Sequence, residues 1–131
     1  MEHLLPKEAF QYLHDNPNSL FVDCRSEMEY MFVGHPLGAV MIPYYDGPDW
    51  ELNAHFVGHV KKLSGANFEK RPVVLICRSG NRSVEAGEAL ERAGFHHVFN
   101  VVHGFEGDLD ETHHRNSRNG WRVDGLPWEQ Y

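Results

Sequence analysis

Short apolar segments alternate with amphipathic segments along most of this chain. Four apolar runs have the length and the β-branched or aromatic content that is typical of strands, namely residues 20–24, 39–42, 73–76 and 97–101, and residues 3–5 form a shorter candidate. The run at 73–76 is apolar at every position, as expected of a strand that is buried on both faces of a parallel sheet.

Segments with helical periodicity separate these runs. Apolar residues recur at helical spacing in 6–14, 50–63 and 83–93. A further helix is expected after Ser26, where Glu29, three residues later, completes a capping box. Strands that alternate with helices predict an α/β fold with a parallel sheet, in which ligands bind outside the carboxyl ends of the strands.

Composition and charge narrow the function classes. The chain of 131 residues is long enough for one ordinary core and too short for two, so we predict a single domain over 1–131. Its net charge of −7 and the lack of a basic run argue against a nucleic-acid partner. No segment approaches the roughly 20 apolar residues of a membrane span, and no signal peptide is recognisable. Two cysteines give no disulfide framework, which is typical of a reducing compartment, so we expect a cytoplasmic protein. The lack of an apolar span predicts no membrane partner.

The chemistry is concentrated where the run Val73–Ile76 ends. Cys77 follows this run directly, the small polar loop 78–82 follows Cys77, and a helical segment begins next. Backbone N–H groups of such a loop and the positive end of the helix dipole both favour an anion. Arg78 and Arg82 add formal positive charge. These features predict a Cys77 thiolate with a pKa below the ordinary value of roughly 8.5.

The residues 77–83, Cys-Arg-Ser-Gly-Asn-Arg-Ser, resemble the active-site loop of the rhodanese family of sulfurtransferases. The segments 21–25, 34–39 and 120–127 resemble that family's flanking signatures. The resemblance implies a rhodanese-like α/β fold, with a roughly five-stranded, mainly parallel sheet flanked by helices on both faces. It also implies a thiosulfate sulfurtransferase-like enzyme that carries a sulfane sulfur as a Cys77 persulfide.

Double displacement is the mechanism that the resemblance implies. The thiolate takes sulfur from thiosulfate or a persulfide donor, and a thiol, cyanide or a sulfur-carrier protein then removes it. No metal or organic cofactor is expected, because the cysteine is itself the carrier. Three alternatives remain open: a phosphatase or arsenate reductase, a rhodanese-like binding or regulatory module without turnover, and a relay protein that turns over small donors poorly. Four residues separate Cys77 from Arg82, one fewer than in the oxyanion enzymes that resemble rhodaneses.

The resemblance also assigns expected roles within the loop. Arg78 is expected to project toward solvent and to hold an anionic donor such as thiosulfate. Arg82 is expected to hold the loop against the sheet. Ser79 and Asn81 are expected to shape the loop, and Gly80 to supply a backbone conformation that other residues avoid or to let the donor approach closely.

Several residues outside the loop are candidates for supporting roles. Asp23 and Arg25 are expected to form, with Glu29, a charge cluster beside the loop that matters first for folding. His103 follows the last predicted strand and is a candidate acid or base near Cys77, or a hydrogen-bonded structural residue. Cys24 continues a buried apolar run, so we interpret it as a core residue, with a resolving thiol as the alternative.

The remaining features are departures from the family pattern and a set of histidines. Gly104-Phe105 stands where the family usually has two glycines, and a polar insertion occupies 108–119. This insertion cannot form a core of its own and is a candidate lid, docking surface or plain surface excursion. The chain has ten histidines, but none has a zinc-ligand spacing with cysteine or carboxylate, so no metal site is predicted.

Overall fold

The computed structural model describes residues 1–131, which form nine strands and three α-helices. The strands are β1 (Glu2–Leu4), β2 (Leu20–Asp23), β3 (His35–Pro36), β4 (Val40–Met41), β5 (Tyr45–Asp46), β6 (Glu51–Leu52), β7 (Val73–Ile76), β8 (Val98–Val101) and β9 (Trp128–Glu129). The helices are α1 (Pro6–Asp15), α2 (Phe56–Ser64) and α3 (Arg82–Arg92), with a π-helical turn at Glu29–Val33 and a 3-10 turn at Phe68–Lys70. None of the helices is long and apolar enough to cross a membrane.

Five of the strands form one sheet in the order β1-β8-β7-β2-β4. All four neighbouring pairs in this sheet are parallel. The strands β2 and β7 run in step, so that Leu20 lies opposite Val73 and Asp23 lies opposite Ile76. The central strand is β7, whose carboxyl end carries Cys77, and the predicted parallel α/β sheet is confirmed.

Apolar side chains fill both faces of the sheet. Val73 and Leu75 point to the face that α2 and α3 cover, whereas Val74 and Ile76 point to the face that α1 and the C-terminal segment cover. Two-sided burial explains why the β7 sequence is apolar without alternation, since each side chain enters one of the two cores. The helices therefore lie on both faces, as the sequence predicts.

The helix predicted over 50–63 is wrong over its first six residues. Tyr45–Asp46 and Glu51–Leu52 pair antiparallel, and Trp50 lies in the connecting turn with a φ of 56°. Helix α2 begins only at Phe56, after the Asn53 side-chain oxygen has accepted a hydrogen bond from the His55 N–H at 3.0 Å. The left-handed conformation of Trp50 is incompatible with a right-handed helix, so the helix does not extend back into the hairpin.

The segment after Ser26 contains the predicted capping box but no full helix. The Ser26 N–H donates to Glu29 Oε1 at 3.2 Å, and the Glu29 N–H donates to Ser26 Oγ at 3.3 Å. The turn that follows is π-helical over Glu29–Val33 and ends at Gly34, whose φ is 112°. A backbone with this φ cannot continue a right-handed helix, so the segment stops after one turn.

Candidate active site

Cys77 lies directly after the central strand, at the edge of the sheet where ligands bind in α/β proteins. A backbone hydrogen bond fixes its main chain, because the Phe105 N–H donates to the Cys77 carbonyl oxygen at 2.8 Å. Gly104 has a φ of 59° and lies so close to this carbonyl that a Cβ atom would overlap it. The second glycine of the family pattern is Phe105 here, and its side chain is fully buried beneath Arg25, with the guanidinium 4.5 Å from the ring centre.

The Cys77 sulfur accepts hydrogen bonds from two backbone amides. The Gly80 N–H lies 3.1 Å and the Ser83 N–H 3.4 Å from Sγ, and Ser83 Oγ lies 3.2 Å away. Gly80 has a φ of 105°, which is accessible mainly to glycine, and this turns its N–H toward the sulfur. Of the loop residues 78–82, whose N–H groups we expect to favour an anion, only Gly80 donates to the sulfur. The second amide belongs to Ser83, in the first turn of α3.

These contacts favour the charged form of Cys77. The Cys24 thiol makes the largest contribution, the hydroxyl and the amide of Ser83 and the amide of Gly80 add to it, and burial opposes them. Together they lower the pKa of Cys77 to about 5. Cys77 is therefore a thiolate at neutral pH, in the direction expected from the loop and the helix terminus.

A chain of polar side chains continues from Ser83 into the sheet. Ser83 Oγ is hydrogen-bonded to Asn100 Oδ1, and Asn100 Nδ2 lies 3.1 Å from His3 Nδ1. Asn100 is 3% exposed and lies in β8 between apolar neighbours. The sequence motif includes Ser83 but indicates no role for it, and Asn100 was not predicted to be near the site. An asparagine inside an apolar strand is nevertheless a recognisable signal, because a buried amide needs a partner.

A narrow cleft gives access to the sulfur. Its volume is about 180 Å³, and its walls are formed by Trp50, Arg78, Ser79, Asn81 and Arg82, with Cys77 at the floor. Cys77 is only 1% exposed, so a reactant reaches the sulfur through this cleft and not across the general surface. Trp50 was not predicted to be near the site, because it lies in the turn of the 45–52 hairpin and the sequence predicts a helix that begins at this residue.

The two loop arginines have different environments. Arg82 forms two hydrogen bonds to Glu29, at 2.7 and 2.9 Å, and its guanidinium carbon lies 4.8 Å from the Trp50 ring centre. Burial would raise the pKa of Glu29, but the hydrogen bonds and charge of Arg82 outweigh it and lower that pKa to about 2. Arg78 is exposed and has no ion-pair partner. Of the two loop arginines, Arg78 is therefore the one whose charge is not neutralised by a carboxylate and is available to an anionic donor.

Asp23 and Arg25 form a buried ion pair beside the site. Both side chains are 0% exposed, and Arg25 Nη2 donates to Asp23 Oδ2 at 2.7 Å. Arg25 also donates to the Gly34 carbonyl oxygen, which ties the ion pair to the end of the π-helical turn. Neither residue lines the cleft, and Glu29 pairs with Arg82 instead of joining them. The expected three-residue charge cluster is thus two separate ion pairs.

His103 lies near the loop through its backbone and not through its ring. Its N–H is 3.4 Å from the position that a Cβ of Gly80 would occupy, but His103 Nδ1 pairs with Asp108 Oδ2 at 3.3 Å. The cleft walls do not include His103. This geometry favours a structural, hydrogen-bonded role of His103 over a role as an acid or base near Cys77. No group of three or more His, Cys, Asp or Glu side chains has an arrangement that could hold a metal ion.

Polar contacts hold the segment 108–119 in place. Asp110 Oδ1 accepts hydrogen bonds from the Thr112 N–H, the Thr112 hydroxyl and the His114 N–H, at 2.8–2.9 Å. Asn119 closes the segment by accepting from the Asp108 N–H at 2.9 Å. No residue of 108–119 lines the cleft, so in this structure the segment does not cover Cys77.

Comparisons with known proteins agree with this geometry. A family model described as Rhodanese-like domain matches residues 5–111. The crystal structure of Rv0390 from M. tuberculosis has a TM-score of 0.87 and 36% identity, over 100% of this chain and 98% of that chain. The chloroplastic thiosulfate sulfurtransferase 16 of Arabidopsis thaliana is 28% identical over 82% of this chain and 77% of its own length. The structure of the polysulfide-sulfur transferase of Wolinella succinogenes, with 23% identity and a TM-score of 0.63 over 100% of this chain and 80% of that chain, shares the fold. The chain belongs to the family of rhodanese-like domains, which includes sulfurtransferases.

Proposed function

We propose that this protein is a sulfurtransferase that carries a sulfane sulfur on Cys77. One observation supports the proposal above all: the Cys77 sulfur lies at the floor of a cleft and accepts hydrogen bonds from the Gly80 and Ser83 amides. This arrangement maintains a thiolate nucleophile and offers donors to the negative charge of a persulfide. The family to which the chain belongs supplies the reaction type.

In the first half-reaction the Cys77 thiolate attacks the outer sulfur of the donor. With thiosulfate, the bond between the two donor sulfurs breaks, its electron pair leaves with sulfite, and a new S–S bond forms at Sγ. The product is a Cys77 persulfide, whose terminal sulfur carries the negative charge. The amides of Gly80 and Ser83 are positioned to stabilise that charge, because they already point at Sγ.

In the second half-reaction an acceptor removes the sulfane sulfur. A nucleophile such as cyanide or a thiolate attacks the terminal sulfur, and the electron pair of the broken S–S bond returns to Cys77 as a thiolate. The low pKa of Cys77 makes this thiolate a good leaving group at neutral pH. No metal or organic cofactor takes part in either half-reaction.

The cleft indicates the size and the charge of the donor. Its volume of about 180 Å³ is below the roughly 300–1,000 Å³ of sites for drug-sized ligands. A small anion such as thiosulfate, or the sulfur end of a persulfide, matches this space. Arg78 supplies positive charge at the rim without being bound to a carboxylate.

Intact mass spectrometry tests the proposal. The wild-type chain incubated with thiosulfate should gain one sulfur atom, and cyanide added immediately should remove it. The Cys77→Ala variant should gain none, whereas Cys24→Val, which leaves the nucleophile in place, should still be loaded. Steady-state kinetics should show a ping-pong pattern with thiosulfate and cyanide. A wild-type chain that takes up no sulfur from thiosulfate or from a persulfide donor would exclude this function.

A further inference from the structure

A second cysteine lies next to the nucleophile on the neighbouring strand. Asp23 pairs with Ile76 at the ends of β2 and β7, and the Cys24 N–H continues the ladder by donating to the Ile76 carbonyl oxygen at 3.0 Å. Cys24 and Cys77 are therefore opposite each other in register. Neighbouring strands are about 4.8 Å apart, which falls within the Cα–Cα range of roughly 4.4–6.8 Å that a disulfide requires.

The side chains of this pair also point to the same side of the sheet. Cys24 and Cys77 both belong to the apolar cluster that α2 and α3 cover, and each of the two side chains shifts the pKa of the other. The Cys24 thiol donates to the Ile76 carbonyl oxygen at 3.4 Å, which places the Cys24 sulfur at the end of β7, directly before Cys77. Their register and their shared side of the sheet meet the backbone requirements of a disulfide.

Cys24 approaches the nucleophile from the interior. Its side chain is 0% exposed and does not line the cleft, which opens from the other side of Cys77. A sulfane sulfur on Cys77 must extend into the cleft, because the opposite side is filled by the core. An attack by Cys24 on Cys77 Sγ would therefore come from the core side and not from the cleft that holds the terminal sulfur.

We propose that Cys24 is a resolving thiol that gives the loaded protein a second reaction, the internal release of sulfide. This inference rests on the proposed sulfurtransferase function. The Cys24 sulfur bonds to Cys77 Sγ, and the bond between Sγ and the sulfane sulfur breaks. The sulfane sulfur takes the electron pair and the Cys24 proton and leaves as hydrosulfide. It is thereby reduced, the two cysteine sulfurs are oxidised to a disulfide, and an external dithiol restores both thiols for another cycle.

The environment of Cys24 explains why the two thiols coexist in the unloaded protein. The neighbouring Cys77 sulfur and burial raise the pKa of Cys24 well above its ordinary value. Cys24 therefore keeps its proton and stabilises the Cys77 thiolate until a sulfane sulfur is bound. An acceptor that enters through the cleft competes with Cys24 for the loaded state, so sulfide release is expected when acceptors are scarce.

A single-turnover experiment separates this reaction from sulfur transfer. The reduced chain is loaded with thiosulfate, freed of donor on a desalting column, and followed by intact mass and by a sulfide assay without acceptor. We expect wild type to release one hydrosulfide per chain and to end two hydrogens lighter than the reduced protein. Cys24→Val and Cys24→Ser should still load, more slowly because they lose the contribution of Cys24 to the low pKa of Cys77, and should keep the sulfur until cyanide is added. Wild type that keeps its sulfur as long as these variants overturns the inference and leaves the proposed function intact, whereas a chain that never loads overturns both.

A chemical oxidation tests the geometry without any sulfane sulfur. The reduced wild-type chain treated with diamide should form an intramolecular disulfide, which peptide mapping should assign to Cys24 and Cys77. A dithiol should restore both free thiols and the ability to take up sulfur from thiosulfate. Two thiols that remain free, or that form only intermolecular disulfides, would contradict the proposed proximity even if both Cys24 variants failed to fold.

Discussion

The hydroxyl of Ser83 should have a measurable effect on the pKa of Cys77. It lies 3.2 Å from the sulfur, and the Ser83→Ala substitution removes it while the backbone amide of the same residue stays. A hydrogen bond to a charged group contributes about 1.5–3 kcal/mol, and one pKa unit corresponds to about 1.4 kcal/mol. We therefore expect the pKa of Cys77 to rise from about 5 by roughly one to two units.

The same substitution should change stability in a pH-dependent way. Because the pKa of Cys77 is lower in the folded chain than in the unfolded one, the thiolate stabilises the fold above the unfolded pKa, and this contribution is lost as pH falls through about 5. In Ser83→Ala this contribution is smaller and its loss is complete at a higher pH, because the folded pKa lies closer to the unfolded one. A second, pH-independent cost of about 1–3 kcal/mol is expected, because Asn100 Oδ1 loses its partner.

Two assays check this prediction. The rate of Cys77 alkylation or its thiolate absorbance, followed against pH, gives the pKa, and urea denaturation at acid and alkaline pH gives the two stability terms. Ser64→Ala is a matched control, because Ser64 is also a buried helical serine but donates to the Val60 carbonyl oxygen at 2.7 Å. A Ser83→Ala titration that coincides with the wild-type and Ser64→Ala curves would refute the assigned role of the hydroxyl.

Three other substitutions test charges around the site. Glu29→Gln should remove about 3 kcal/mol of stability at neutral pH, since Arg82 and Ser26 lower the pKa of Glu29 from 4.5 to about 2. This contribution is present above pH 4.5 and is lost as the pH falls toward 2. The stabilities of wild type and variant in acid denaturation should therefore converge near pH 2. Arg25→Met should cost about 3–5 kcal/mol in chemical denaturation, because it leaves Asp23 buried and unpaired, and replacing both residues by apolar ones should recover most of the loss. Arg78→Ala should raise the KM for thiosulfate by no more than about fivefold with little change in kcat, because an exposed ion pair contributes about 0.2–1 kcal/mol; an equal rise with an uncharged donor would contradict a role in anion binding.

The sequence was most informative where one segment determines both structure and chemistry. The apolar run of β7, the small polar loop and the start of α3 are contiguous, so the position of Cys77 at a strand end follows from local pattern alone. The parallel sheet follows from the alternation of strands and helices. The family resemblance added the reaction type, which no local pattern specifies.

What the sequence could not show depends on contacts between distant segments. Asn100 reaches Ser83 only because β8 pairs with β7, and Trp50 reaches the cleft only because residues 45–52 form a hairpin. The opposition of Cys24 and Cys77 depends on the register of β2 and β7, and a shift of one residue would turn one of the thiols to the other face. Such contacts are set by pairing, which a single sequence does not reveal.

The depth of Cys77 restricts the shape of any macromolecular acceptor. The sulfur is 1% exposed beneath a rim that includes Trp50 and Arg82, so a flat protein surface would stop at this rim. A protein that collects the sulfur must insert a slender projection, such as an extended chain terminus or a thiol at the tip of a narrow loop. Free small thiols have no such restriction, so in the proposed reaction we expect the rim to select acceptors by the shape of the molecule that carries the nucleophile.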